Sequence, residues 1–472
     1  MNRDDLCYEP TTSLARLIRA GEVSPTQAVD AYLDRIAHVD PRVHSYLHVA
    51  ADHARRSARR AEQALAERRQ LGPLHGVPVA VKDLFDTVGM PTTCGSPRIL
   101  GGNVSSRTAT AVERLEQAGA VLLGKLHMTE FAFISHHPDT RSAQNPWKLD
   151  RSPGGSSSGS AVATAAGLAS ATLGSDTAAS IRLPAAWCGA VGLKPTWGRV
   201  SRDGVFPLAA SFDHVGPITR TVADAALLLH CIAGPDPRDP STRRQAVPPA
   251  EPAPRDDFKG VRIGWDEEFV TMGVFPEVVT AARAARERME ALGATIVPVE
   301  LPDVESIVTI FADVFDVEMR AAHAGLYPAR AEDYGPLTRH ALAHFATRDP
   351  LVHVEGAILA RAFRQRIDRL FDDVDVVLCP VGALPAPPQV DEQVIIEIFG
   401  QDHRNIIRLT RLTSIWDLAA TPAIALPWGF DGDGLPLAVQ LVTRVGTDEA
   451  LLSIAARLEV EAPDRGRRPP LA

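Results

Sequence analysis

Residues 152–195 of the chain, SPGGSSSGSAVATAAGLASATLGSDTAASIRLPAAWCGAVGLKP, set two serine-bearing glycine turns around a run of small apolar residues. An ordinary core segment has no reason to adopt this composition. Glycines let the backbone take φ > 0 or approach another group closely, and serines supply hydroxyls at such places. The segment reads as an active site, with three chemistries in competition. A phosphate-binding loop fails because no Gly-Lys-Ser/Thr follows the glycines. A nucleophile elbow is formally matched by Gly155-Ser156-Ser157-Ser158-Gly159, but that motif needs a strand directly before it, and residues 145–153 (NPWKLDRSP) are polar and proline-bounded. The third is a serine nucleophile served by a lysine base.

Serine is a weak nucleophile that needs a base, and a lysine kept neutral by desolvation can supply one. Lys82 ends the apolar run GVPVAVK, which carries it inward on a strand. A buried lysine is costly unless it is paired or uncharged, so the position asks for a role. Other reactive types have plainer readings. Cys188 follows Trp187 in an apolar run and reads as a packed thiol. His136, His137 and Asp139 have no further ligand at suitable spacing, so they read as a solvent loop. Asp431 and Asp433 lie in DGDG, a hairpin turn between two apolar runs; the rest of a calcium loop is missing. No metal or cofactor is expected.

The elements that must position these residues follow from periodicity. Ser24-Pro25-Thr26-Gln27 is a capping box with proline at the first helical position, and Val29, Leu33 and Ile36 recur at helical spacing. A longer helix is predicted over 49–69. Strands are predicted at 77–81 and 120–123 around a helix at 109–118, then at 261–265 and 294–299 around a helix at 276–292. Residues 304–345 read as mostly helical. A helix at 351–371, a strand at 374–379, a helix near 405–417 and apolar runs at 422–428 and 435–442 complete the pattern. Alternating strands and helices predict an α/β sheet. Residues 234–257, with seven prolines and no periodicity, read as a loop or linker.

Bulk composition narrows the partners. Across 472 residues, 45% hydrophobic and 23% charged residues are ordinary for a globular chain, and the net charge of -9 disfavours nucleic acid, which needs clustered cations. Five scattered cysteines without a CxxC pair suit free thiols in a reducing compartment. The N-terminus has no apolar signal region and no run reaches membrane-spanning length, so a cytoplasmic protein without membrane contact is expected.

The chain resembles the amidase signature family of serine hydrolases. The blocks GVPVAVKDLFDTVGMPTTCGS, AGAVLLGKLHMTEFAF, NPWKLDRSPGGSSSGSAVATAAGLA, LGSDTAASIRLPAAWCGAVGLKPTWGRVSR, SFDHVGPITRTVADAALLL and TPAIALPWGFDGDGLPLAVQLV follow the family's blocks in order. The resemblance implies one amidase domain over 1–472, a mixed twisted sheet covered by helices on both faces. Within it, 1–70 is a helical layer, 71–233 the signature core, 234–350 a linker and variable region, and 351–472 completes the sheet. It places the family's lysine on Lys82, its bridging serine, which follows a cis peptide bond, on Ser156, and its nucleophile on Ser180. The oxyanion hole falls on the backbone N–H groups of Thr177, Ala178, Ala179 and Ser180. Asp176 and Arg182 would orient that loop, and Phe131, Ala132 and Phe133 match a substrate-lining segment.

The implied activity is hydrolysis of a small carboxamide to a carboxylate and ammonia or an amine through an acyl-enzyme. One departure stands out: most members read GSDTGGS, and here both glycines are alanines. That leaves open the backbone angles at 178 and 179 and the width of the acyl pocket. A second reading is the glutaminase subunit of a tRNA-dependent amidotransferase. Against it, such subunits read closer to SIRQPAAFCG and KPTYG, where this chain has SIRLPAAWCG and KPTWG. A third is a non-catalytic binding protein on the same scaffold. Related enzymes are often dimers, so a homodimer is an option. Specificity is expected from 234–345 and from the helix holding Trp416 and Asp417.

Overall fold

The computed structural model describes residues 3–471. Among them eleven strands form one mixed sheet: β1 (Tyr46–Val49), β2 (Pro78–Lys82), β3 (Val121–Leu126), β4 (Ala171–Asp176), β5 (Val191–Lys194), β6 (His214–Thr219), β7 (Arg262–Trp265), β8 (Thr295–Pro298), β9 (Val376–Pro380), β10 (Ala423–Phe430) and β11 (Pro436–Val442). Their spatial order is β1-β3-β2-β4-β6-β5-β10-β11-β9-β7-β8. Every residue of β2, β3, β4, β5, β6, β9 and β11 is buried, which requires cover on both faces of the sheet. The outermost strands β1 and β8 are partly exposed, as edges are.

Strands β3, β2 and β4 run parallel, joined through the helices Thr110–Gln117 and Ser158–Ala165. The unit β7, helix Pro276–Ala291, β8 repeats that arrangement, and β10 and β11 form the antiparallel hairpin expected around DGDG. The capping box is present: the Gln27 backbone N–H donates to Ser24 Oγ (3.1 Å), and the Ser24 N–H donates to Gln27 Oε1 (2.9 Å). Among the described residues no helix is long and apolar enough to cross a membrane. All five cysteines are free thiols, and Cys231 alone is not fully buried.

Four expectations change. Residues 46–49 are an edge strand, so the helix predicted over 49–69 begins only at Ala51 (Ala51–Ala66). The helix predicted near 405–417 is two, Asn405–Leu409 and Arg411–Leu418. Residues 234–257 carry no helix or strand but are strapped to the core: Asp236 accepts from Ser201 Oγ (2.7 Å), and the Arg202 backbone N–H donates to Asp239 (2.8 Å). His137 is buried, with Nε2 3.3 Å from the Asp333 carbonyl, and His136 Nε2 lies 3.1 Å from Ser158 Oγ. That segment is therefore not a solvent loop: its imidazoles fasten neighbouring loops together. Strands β4, β5 and β6 carry no alternation to announce them, because they are buried on both faces.

Candidate functional site

Lys82 is the last residue of β2 and is fully buried. Its Nζ donates to Ser156 Oγ (2.6 Å) and to Ser175 Oγ (2.8 Å). Burial pulls its pKa down to about 7, although the carboxylates of Asp176 and Asp213 act in the opposite direction. A lysine in this state is divided between its charged and neutral forms near neutral pH, as a general base requires.

The triple serine lies on the turn that opens the helix Ser158–Ala165, and each hydroxyl has a different task. Ser156 follows a cis Gly155–Ser156 peptide bond and faces Lys82. Ser157 joins the two glycine turns: its hydroxyl donates to the Ser175 carbonyl (3.1 Å), and its backbone N–H donates to the Ser180 carbonyl (3.2 Å). Ser158 lies against His127 and His136. Gly154 has a left-handed φ of +76, and a Cβ there would come within 2.8 Å of the Pro184 backbone, so the close approach of the first turn to the helix Arg182–Cys188 requires glycine.

The second turn leaves β4 at Asp176 and is held at both ends. Thr177 Oγ1 donates to Asp213 Oδ1 (2.7 Å). At the far end the Asp176 carboxylate accepts from the backbone N–H groups of Ile181 (3.1 Å) and Arg182 (3.3 Å), and from Arg182 Nε (2.9 Å). Burial alone would raise the Asp176 carboxyl, but the Arg182 guanidinium, Lys194 and the Ile181 N–H together outweigh it and hold that carboxyl below its usual value. Arg182 reaches on to Asp417 and to the Ala178 carbonyl. Behind it, Lys194 Nζ approaches His214 Nε2 (3.3 Å), and His214 Nδ1 lies 3.4 Å from Asp417. The turn from Asp176 to Arg182 therefore stands on a buried lattice of charged and polar side chains.

Within residues 153–180 only Gly155, Ala178 and Ser180 are not buried, which places the opening of this segment at the two turns. Among the described residues the Ser180 hydroxyl has no hydrogen-bond partner, and the backbone N–H groups of Ala178, Ala179 and Ser180 have none either. These are the features of a group left free for a ligand with a carbonyl oxygen. Neither Ala178 nor Ala179 has a positive φ, so the alanines that replace the usual glycines fit without backbone strain.

A cavity of about 270 Å³ lies beside the site, at the ends of β2 and β4, bordered by Leu84, Ala132, Ser175, Phe206, Asp213 and His214. Of the three residues matched to a substrate-lining segment, Ala132 borders this cavity. The other two belong to aromatic clusters: Phe131 packs on Phe206 (4.9 Å), His323 (4.6 Å) and Tyr334 (5.5 Å), and Phe133 on Phe315, Phe345 and Phe399. Cys188 is a buried thiol pushed above its ordinary range, and among the described residues no cluster could hold a metal.

Sequence reasoning passed over Ser175, Asp213, Lys194 and His214, and took Asp417 for a specificity residue, where the structure shows it paired with Arg182. The signal was present for Ser175, a hydroxyl five residues before Ser180 in a strand too apolar to face water. For the others it was weak, because each acts only through partners distant in sequence.

A family model for amidases matches residues 27–452. The chain belongs to the amidase family. It is similar to a glutamyl-tRNA(Gln) amidotransferase subunit of Prochlorococcus marinus, with 40% identity over 94% of this chain and 96% of that protein. It is also similar to a putative amidase, AmiD, of Mycobacterium bovis, with 38% identity over 100% of this chain and 98% of that protein. Among solved structures, the native peptide amidase of Stenotrophomonas maltophilia superposes with a TM-score of 0.80 at 28% identity, covering 98% of each chain. The mixed α/β fold and the hydrolase class inferred from the sequence blocks agree with these relationships.

Proposed function

We propose that the protein is a free-standing amidohydrolase in which Ser180 forms an acyl-enzyme and Ser156 and Lys82 carry the protons. Neutral Lys82 takes a proton from Ser156 as Ser156 takes one from Ser180, whose Oγ attacks the amide carbonyl. The carbonyl oxygen is received by the free N–H groups of the 178–180 turn, a type of contact that contributes roughly 3–4 kcal/mol in other acyl-transfer enzymes. The proton returns through Ser156 to the leaving nitrogen, and water then releases the acid by the same relay. The observation that carries this reading is the 2.6 Å hydrogen bond from a fully buried lysine, drawn down to about 7, to Ser156. No metal or cofactor takes part. A single domain, a cytoplasmic setting and an option on homodimer formation belong to the same proposal.

The second reading, a glutaminase component of an amidotransferase, draws support from the 40% identity to the Prochlorococcus protein. The charged side chains around the cavity speak for the first: Arg238 lies 3.4 Å from Asp203 and Arg202 3.9 Å from Asp239, so they are paired with one another, not held ready for a glutamine's α-groups. An activity screen over aliphatic, aryl, amino-acid and anilide amides, with Ser180→Ala as control, tests the proposal. Turnover by the isolated chain that Ser180→Ala abolishes is the expected result. Turnover that appears only when the other amidotransferase components are added would support the second reading instead.

A further inference from the structure

Lys82 has two hydroxyl partners, and the proposed relay uses one. Ser156 is 1% exposed and, in that relay, serves Ser180, on the side that an amide substrate covers. Ser175 leads the other way: it is 5% exposed and borders the cavity at the ends of β2 and β4. Its position is fixed by Ser157, whose hydroxyl donates to the Ser175 carbonyl (3.1 Å) and accepts from the Ser175 N–H (3.3 Å). Asp203, Asp213 and Asp239 also border the cavity.

We infer that Ser175 is the proton outlet of Lys82, a positioning residue that holds the amine on Ser156 and exchanges its proton with solvent through the cavity. The inference rests on the proposed Lys82–Ser156–Ser180 relay. In the step, a protonated Lys82 gives one N–H proton to Ser175 Oγ while the Ser175 O–H passes its own proton to a solvent water in the cavity. The products are neutral Lys82, an unchanged serine and a hydronium ion that the buffer removes. Lys82 needs such a route because it is 0% exposed and, near neutral pH, much of the population carries the extra proton. The groups that bear on its charge are Asp176 at the end of β4, the Cys94 thiol, and Asp213 before β6, which itself borders the cavity beside Ser175.

The test uses the full chain and an amide that the wild type hydrolyses and Ser180→Ala does not, so the underlying relay is established before Ser175 is probed. Ser175→Ala is expected to lower kcat by about 100-fold with KM nearly unchanged, the low end of the range for losing a proton-transfer group. Its kcat should climb with imidazole concentration at fixed pH and ionic strength, because a small base entering the cavity replaces the hydroxyl, while wild-type kcat stays flat. Ser175→Thr, which keeps the hydroxyl, should restore turnover and remove the imidazole dependence. A wild-type kcat for Ser175→Ala, a loss that imidazole leaves untouched, or a Ser175→Thr enzyme as slow as Ser175→Ala would each overturn the inference.

Discussion

The two glycine turns at 154–158 and 174–180 share a composition and occupy opposite environments. Ser156 is buried and hydrogen-bonded to a lysine; Ser180 is half-buried with no side-chain partner among the described residues. The first turn is fastened from below by Lys82 and from the side by Thr129, whose N–H donates to the Ser156 carbonyl (3.2 Å). The second is fastened at its ends by Asp213 and by the Asp176–Arg182 pair and between them only through its carbonyls, among them Ala178 to Arg182 and Ser180 to the Ser157 N–H, so that its N–H groups stay open. A hydroxyl that relays protons has to be enclosed with its base, and one that attacks has to be reachable. Composition alone made the triple serine look like the nucleophile; the two environments fit the separate tasks that the proposed mechanism assigns.

The largest expected effect comes from exchanging the two roles. Ser180→Ala should lower kcat by about 10⁴-fold or more, as in other serine hydrolases, and Ser156→Ala should be similarly slow while Ser180 remains in place. A Ser180→Ala enzyme with near wild-type turnover would erase the distinction between the turns. Next in size is Lys82→Ala, which should cost about 10³-fold, within the usual range for a general base. The sign of the pH dependence follows from Lys82: only the neutral amine accepts a proton, so wild-type activity should be low in acid and rise as pH passes through about 7. A rate that falls through the same window would contradict a lysine base.

Stability sharpens the comparison from the other side. Arg182→Met strands the buried carboxylates of Asp176 and Asp417, and removing one partner of a buried pair costs about 3–5 kcal/mol. Urea denaturation should show a lower midpoint of that order, and an unchanged midpoint would mean that the second turn does not depend on its charged footing. Smallest is Ala178→Gly with Ala179→Gly. With ordinary φ at both sites, each change should destabilise by about 0.4–1 kcal/mol through the unfolded chain. Turnover should survive while preference among acyl groups shifts. An unaltered substrate profile would show that the two methyl groups do not bear on selection.

Lys82, Ser156 and Ser180 could be named as candidates because each sits in a long sequence block whose order and spacing are specific. The parallel strands around them were legible at β2 and β3, where valine and leucine dominate, and not at β4 and β6, where Ser175, Asp176 and His214 are buried with partners from remote segments. Phe131 and Phe133 illustrate the same limit. Their types suggested a pocket lining, yet Phe133 is claimed by Phe315, Phe345 and Phe399 and Phe131 by His323 and Tyr334, all from a helical region nearly two hundred residues away or more. Periodicity reports which face of an element is apolar, but it does not say which other element covers that face. The histidines at 136 and 137 looked exposed for the same reason.

Mapping the covalent adduct of a serine-directed phosphonate by tandem mass spectrometry tests the separation of roles most directly. Modification of the wild type at Ser180, and none of Ser180→Ala, is the expected result. An adduct on Ser156, or equal labelling of Ser180→Ala, would place the nucleophile on the first turn and contradict the assignment.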